Sequence, residues 1–285
     1  MGRIEVWKVR MPFDRRTLIL AAAAVCGLAV AGCTETGTEG AQSPSEPGTF
    51  AWFELGSDSP EVSRAFYEGV FGWRIKPQRG DEYWTISVDR TPIGGMFAVS
   101  GEQAMSETRA QWIPVFAVDD GMDAYRKALS LGARQVAPPA QTSDGLYASI
   151  FDPTGAVLDL YQGSSGVPIS GSGGAGTWIW ADHLSDNPDR AGRFYAALFG
   201  TEVGRTADGE RVLRLDGRDL AGLVNVPRAH AEPNWLPYVA VADLDATLRA
   251  AASRGGRVLT RRADAAILLD PTGAAIGVIA EGADG

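Results

Sequence analysis

The sequence of 285 residues is poor in the side chains that build disulfides and transition-metal sites. It has two cysteines, Cys26 and Cys33, and two histidines, His183 and His230. Both cysteines lie in an N-terminal leader, so we expect no disulfide, thiolate metal site or cysteine nucleophile in the folded body. The sequence also lacks a glycine-rich phosphate loop and a Gly-x-Ser-x-Gly nucleophile elbow. Several common enzyme classes are therefore excluded.

Basic residues are scarce as well. The chain has 26 Lys and Arg against 35 Asp and Glu, which gives a net charge of -9. A nucleic-acid-binding domain usually carries a basic patch, whereas Lys and Arg are scattered here. We therefore expect no nucleic-acid partner. The hydrophobic fraction of 45% is sufficient for a packed core.

The N-terminal segment is typical of an export signal. Arg10, Arg15 and Arg16 precede the apolar run 17–32, and Val30-Ala31-Gly32-Cys33 resembles a bacterial lipobox. We expect residues 1–33 to be a lipoprotein-type signal ending at a lipidated Cys33, and residues 34–47 to be a disordered tether. The protein would then be exported and anchored in the cell envelope through its lipid alone. A retained anchor helix, twin-arginine export and a start at Met11 stay open.

The rest of the sequence is duplicated. Residues 52–72 resemble residues 180–200, with Phe66-Tyr67 matching Phe194-Tyr195 at an offset of 128 residues. Asp152-Pro-Thr-Gly recurs as Asp270-Pro-Thr-Gly. Such a repeat predicts two copies of one domain, at residues 48–162 and 176–282, joined by a Gly/Ser linker at 163–175.

Each copy is predicted to be α+β, with two βαβββ units. In the first unit Ser59 is a candidate helix N-cap, Pro60 suits the first turn, and Gly72 ends the helix. A helix on one sheet face leaves the other face to curve around a cavity. The sequence leaves open whether units pair within a copy or between copies, and it leaves the oligomeric state open.

These features resemble the vicinal oxygen chelate superfamily, which includes glyoxalases, bleomycin-resistance proteins and extradiol dioxygenases. The resemblance is carried by the paired βαβββ units, by a Ser-Pro-x-x-x-x-x-Phe-Tyr helix beginning at Ser59, and by the Asp-Pro-x-Gly turns. It covers residues 48–282. It implies a bowl of eight strands around a small-molecule cavity, and, in the enzymes of the family, a divalent metal.

Most of the metal-ligand positions that the resemblance implies hold unsuitable residues. Aligning Ser59 with the family's helix-start Asp places non-ligands at five positions, namely Trp52, Trp180, Ile113, Leu236 and Gly277. Asp159 alone has ligand chemistry, and a divalent site needs about three protein ligands. We therefore expect no metal or other cofactor, with Asp159 as a weak metal candidate. A shift of one residue in register would bring in Glu54, Asp182 and His183.

An aromatic side chain and a carboxylate share one strand face in each copy. Trp52 lies two residues before Glu54, and Trp180 lies two residues before Asp182. This arrangement suits a cationic or aromatic ligand. With Asp159, these four are the candidate ligand-binding residues, and Tyr83, Trp84, Tyr147 and Tyr161 could also line the first bowl. In the alternative interpretation the tryptophans fill the core and the acids are solvated at strand ends.

Three hypotheses follow for the function. The first is an exported, lipid-anchored binding protein for a small organic molecule, aromatic or cationic, without a catalytic metal. The second is a metal-dependent lyase, isomerase or dioxygenase of the same superfamily, with catalytic residues unidentified. The third is an envelope protein that binds a partner and whose bowls are filled.

Overall fold

The computed structural model describes residues 45–78, 83–99, 110–142, 145–163 and 174–282. The predicted signal, Cys33, and most of the tether and the linker lie outside these residues. Within them, each copy forms one eight-stranded mixed sheet and two helices, which confirms the α+β prediction. No helix of the described part combines the length and apolarity needed to span a membrane.

The described residues of the first domain form ten elements. They are β1 (Phe50–Ser57), α1 (Pro60–Phe71), β2 (Arg74–Pro77), β3 (Tyr83–Val88), β4 (Thr91–Ala98), β5 (Ala110–Ala117), α2 (Gly121–Ser130), β6 (Arg134–Gln141), β7 (Gly145–Phe151) and β8 (Val157–Gly163).

The second domain repeats this order. Its elements are β9 (Trp178–Ser185), α3 (Pro188–Phe199), β10 (Glu202–Arg205), β11 (Arg211–Leu215), β12 (Arg218–Asn225), β13 (Asn234–Val241), α4 (Leu244–Ser253), β14 (Arg257–Arg261), β15 (Ala265–Leu269) and β16 (Ala275–Ala280).

The strand order is β2-β3-β4-β1-β5-β8-β7-β6 in the first sheet and β10-β11-β12-β9-β13-β16-β15-β14 in the second. The two βαβββ units of a copy meet where β1 pairs antiparallel with β5, and where β9 pairs with β13. Every strand thus pairs within its own copy. The units form their sheets within each copy and do not exchange between copies.

Two local predictions need correction. Ser59 lies at the N-cap of α1, but its side chain makes no cap hydrogen bond; its backbone N–H donates instead to Ser57 Oγ at 3.1 Å. In α3 the side chain of Asn187 does cap, because its oxygen accepts from Arg190 N at 3.0 Å. The sequence reading also missed β10, which is a short edge strand with mostly exposed residues and therefore no apolar alternation.

The two domains pack against each other through their helix-bearing faces. The indole rings of Trp73, Trp112 and Trp178 meet edge to face, with Trp178 contributed by the second domain. Phe50 and Phe116 contact Trp235 in the same way. Helix α1 packs on α4, and α2 packs on α3. One aromatic core thus serves both domains and leaves the opposite face of each sheet available for a bowl.

The Asp152 turn also joins the domains. Asp152 Oδ1 accepts from the backbone N–H groups of Thr154 and Gly155 at 2.7 and 2.8 Å, as a turn former does. Its Oδ2 accepts from the Tyr195 hydroxyl at 2.9 Å and lies 2.8 Å from His183 Nε2 in the second domain. The interpretation of Asp152 as a turn former was therefore incomplete.

Asp270 forms the reciprocal contact. Its Oδ1 accepts from Thr272 N at 2.8 Å, and its Oδ2 accepts from Ser63 Oγ of the first domain at 3.5 Å. Tyr67 also hydrogen-bonds to Asp270, as Tyr195 does to Asp152. His183 lies opposite Trp235 in its sheet, where the first domain has Leu55 opposite Trp112, so the His–Asp pair occurs at one of the two contacts.

Candidate ligand site in the first bowl

The first bowl is the face of the first sheet that points away from the helices. Strand register aligns Trp52 of β1 with Val115 of β5, Val115 with Asp159 of β8, and Asp159 with Ser149 of β7. Glu54 lies two residues beyond Trp52 and therefore shares its face. All three candidate residues of this copy converge here, since the first bowl is lined by Trp52, Glu54, Tyr83, Tyr147, Asp159 and Tyr161. Trp84 instead belongs to the core on the helix side.

Glu54 is buried and accepts two hydrogen bonds. It is 9% exposed, and its Oε1 accepts from Trp52 Nε1 at 3.2 Å and from the Tyr83 hydroxyl at 3.0 Å. Burial raises the pKa of Glu54 above its ordinary value, although the bonds from Trp52 and Tyr83 oppose this shift. Tyr83 fits because β4 has a glycine beneath it: a Cβ at Gly95 would lie 2.0 Å from the Tyr83 oxygen.

Asp159 is the second carboxyl of the first bowl. It is 7% exposed, and its Oδ1 finds no hydrogen-bond partner among the described residues. Burial, followed by the charge of Glu54, raises the pKa of Asp159 to about 7, against a lowering by the hydrogen bond from Ser149. Buried polar atoms are nearly always hydrogen-bonded, so this oxygen indicates a position where a ligand donor is accommodated.

Three aromatic rings form a wall beside the two carboxyls. The ring centroids of Trp52 and Tyr161 are 4.8 Å apart, and those of Tyr147 and Tyr161 are 4.7 Å apart. Trp52 and Tyr147 are separated by 6.2 Å. An acid pair beside a packed aromatic wall can bind the polar end of a ligand and contact its apolar body at the same time.

The second bowl has the same strand arrangement with different side chains. Its register aligns Trp180 with Tyr238, Tyr238 with Gly277, and Gly277 with Ile267. Asp182 Oδ1 accepts from Trp180 Nε1 at 3.0 Å, and its Oδ2 accepts from the Tyr238 hydroxyl at 2.9 Å. The Tyr238 ring stands over Gly277, where a Cβ would lie 2.1 Å from it. Trp180 and Asp182, which the sequence predicted to share a face, are thus in contact. The second hydrogen bond to Asp182 comes from the protein's own Tyr238.

The donor set does not fit the divalent metal of the enzymes that this fold resembles. Among the described residues no group of three His, Cys, Asp or Glu side chains could hold a metal ion. Glu54 and Asp159 are two carboxylates without a third ligand of that kind, and a catalytic site needs about three. His183 lies on the helix side, paired with Asp152 and fully buried. His230 lies in the loop between β12 and β13.

Sequence reasoning missed Tyr238 and Ser149. Leu236 was placed at a bowl position, and Tyr238 follows it by two residues, so strand alternation already puts the two side chains on one face. Strand alternation could not place Ser149 beside Asp159. The register of β7 depends on the preceding turn, and the sequence of that turn does not specify the register.

Known proteins match both halves of the chain. A family model described as "Glyoxalase/Bleomycin resistance protein/Dioxygenase superfamily" matches residues 49–160, and one described as "Glyoxalase-like domain" matches residues 178–279. The "Putative glyoxylase CFP32" of Mycobacterium tuberculosis is 30% identical over 247 residues, covering 81% of this chain and 94% of that protein. The anthracycline biosynthesis protein DnrV of Streptomyces peucetius is 28% identical over 260 residues, covering 82% and 93%.

Solved structures share the fold at lower identity. The Mn(II)-bound glyoxalase of Novosphingobium aromaticivorans has a TM-score of 0.57 at 14% identity, covering 83% of each chain. A mutant of 4-hydroxymandelate synthase from Streptomyces coelicolor also has a TM-score of 0.57, at 13% identity, covering 85% of this chain and 95% of that one. At these identities the likeness shows the architecture of the two sheets.

Proposed function

Since the chain belongs to the glyoxalase/bleomycin resistance protein/dioxygenase superfamily, known as the vicinal oxygen chelate superfamily, we propose that it binds a small organic molecule, aromatic or cationic, without a catalytic metal. The observation that carries this proposal is the buried Asp159 Oδ1, which has no partner in the described residues and faces an aromatic-lined bowl. A ligand donor would satisfy this oxygen.

The donor chemistry of the first bowl also favours binding over metal catalysis. Glu54 already accepts two hydrogen bonds at Oε1, which hold the carboxyl in place. The ring wall of Trp52, Tyr147 and Tyr161 provides the apolar contact area that small-molecule sites normally have. A relative named for anthracycline biosynthesis supports an organic small molecule as the ligand class.

A fluorescence titration tests the proposal. A panel of aromatic amines, alcohols and acids is added to the purified protein, and tryptophan emission is followed. We expect a saturable response to part of the panel in the wild type and in Trp180→Phe, and at least about tenfold weaker binding in Trp52→Phe, which removes the indole N–H from Glu54. Trp180→Phe is the matched control because Trp180 makes the equivalent bond to Asp182. A panel without any response would contradict the proposal.

The proposal includes export and lipid anchoring through Cys33. The support is the order of the motif, with positive charges, an apolar run and then the lipobox cysteine. Intact-mass measurement of the protein from a bacterial host with lipoprotein processing should show a mature chain that begins at an acylated Cys33. Cys33→Ala should retain the unprocessed mass, and an unacylated mature wild type would contradict the anchoring.

A metal-dependent lyase, isomerase or dioxygenase is the second candidate. Two carboxyls on strands β1 and β8, in a fold shared with an Mn(II)-bound glyoxalase, favour it. Elemental analysis after exposure to Zn, Ni, Mn and Fe salts separates the two candidates. Near-stoichiometric metal that is lost in Asp159→Ala would favour the enzyme over the binding protein.

A further inference from the structure

The two bowls share a tryptophan at the start of their central row, Trp52 and Trp180, and differ at the three positions that follow. Where the first bowl has Val115, Asp159 and Ser149, the second has Tyr238, Gly277 and Ile267. A small side chain is replaced by a large one, and an acid is replaced by a glycine. The second bowl therefore has one carboxyl, Asp182, where the first has two, and a tyrosine ring where the first has Val115.

Tyr238 occupies in the second bowl the place where a ligand would lie in the first. Its hydroxyl donates to Asp182 Oδ2, and its ring covers Gly277. Asp182 thus accepts a hydrogen bond at each oxygen, from Trp180 and from Tyr238. Tyr238 belongs to one buried hydrophobic cluster with Leu184, Leu236, Ile267 and Ile279. The carboxylate of the second bowl is satisfied from within the protein, whereas Asp159 Oδ1 has no partner in the described part of the first domain.

We infer that, within the described residues, the first bowl is the single ligand site of the chain, and that its ligand presents a protonated amine to Asp159 and Glu54. This inference rests on the proposed function and narrows it to one bowl and one class of polar group.

The charges of the first bowl select a cation. Two carboxyls lie in this bowl, where burial and then the charge of Glu54 raise the pKa of Asp159, and within the described residues no Arg, Lys or His lowers the pKa of either one. The described part of this face also contributes the phenols of Tyr83, Tyr147 and Tyr161. An anionic ligand would be repelled, and a neutral one would leave the buried charge uncompensated. An ammonium group offers three donors to the two carboxyls and can lie against the Trp52 ring.

Calorimetric titration with three matched probes tests this inference. The probes are 2-phenylethylamine, 2-phenylethanol and 3-phenylpropionate at neutral pH, which present a cation, a neutral hydroxyl and an anion on similar bodies. We expect the amine to bind one per chain and at least about tenfold more tightly than the alcohol, since charge-assisted hydrogen bonds are stronger than neutral ones. We expect no measurable binding of the acid.

Matched substitutions in the two bowls show whether loss of amine binding is specific to the first bowl. Asp159→Asn should weaken the amine by at least about tenfold and change the alcohol little, because the amide retains the shape of the carboxyl and loses its charge. Asp182→Asn is the matched control in the second bowl and should leave amine binding unchanged. Equal loss in the two variants would overturn the assignment to the first bowl.

Exchange of the central row gives a second test. Tyr238→Val with Gly277→Asp gives the second bowl the residues of the first, and two amines per chain are expected. Val115→Tyr with Asp159→Gly fills the first bowl, and amine binding should be lost. Two amines bound per wild-type chain would overturn the inference. Equal affinities for the amine and the alcohol would also overturn it, but would leave the proposed function intact. Failure of all three probes to bind would count against the proposed function itself.

Discussion

The buried acid pair predicts that the protein loses stability as the pH rises, and that Asp159→Asn removes much of this loss. Asp159 has a pKa of about 7 in the folded protein, against an ordinary value of 3.8. The folded state therefore binds more protons than the unfolded state between these two values. Stability is complete below the ordinary pKa and falls as the pH rises through the folded pKa.

The size of the effect follows from the shift. One pKa unit corresponds to about 1.4 kcal/mol, so the shift of Asp159 to about 7 amounts to roughly 4 kcal/mol of unfolding free energy by about pH 8. The pKa of Glu54 is also raised, and the two carboxyls titrate as a pair. Asn has almost the same shape and no charge. The variant should match the wild type at about pH 3 and exceed it by a few kcal/mol at about pH 8.

Urea unfolding followed by tryptophan fluorescence measures this difference. The wild type, Asp159→Asn and the control Asp119→Asn, in which the replaced acid is exposed, are compared at both pH values. The control should follow the wild type. The same pH dependence of unfolding in Asp159→Asn and in the wild type would contradict the raised pKa of a buried Asp159 beside Glu54.

Three further substitutions test the contacts between and within domains. Asp152→Ala should destabilise by about 3–5 kcal/mol in urea unfolding, because it leaves His183 and the Tyr195 hydroxyl buried without their acceptor; a cost below about 1 kcal/mol would contradict this. Asp270→Ala should cost less, because no histidine pairs with Asp270, and an equal or larger cost would argue otherwise. Gly277→Ala should lower the thermal midpoint by displacing the Tyr238 ring, and an unchanged midpoint would refute the close packing.

Much of the fold could be predicted from the sequence because local signals agree with each other. The repeat at an offset of 128 residues predicted two domains, and both appear with the same strand order. Pro60 and Gly72 mark the ends of α1 as their backbone preferences require, with Gly72 at a positive φ of 68°. These features are determined by residues that are close together in the sequence, so they can be predicted from the sequence alone.

The remaining features depend on contacts that are distant in sequence. The Asp152 turn was recognised, but its contact with His183 and Tyr195 arises from packing of one domain on the other. The Trp52–Glu54 face was predicted from alternation, whereas its approach to Asp159 requires the register of β5 and β8. Residue spacing alone gives no register between strands from different units.

The central claim is that the first bowl binds an organic molecule through its own side chains and without a metal. The most direct measurement is a calorimetric titration of 2-phenylethylamine before and after exhaustive treatment with a chelator. The account predicts the same affinity and one site per chain in both states, and at least about tenfold weaker binding in Asp159→Asn in both states. Binding that disappears on chelation and returns with added Zn²⁺ or Mn²⁺ would contradict the account.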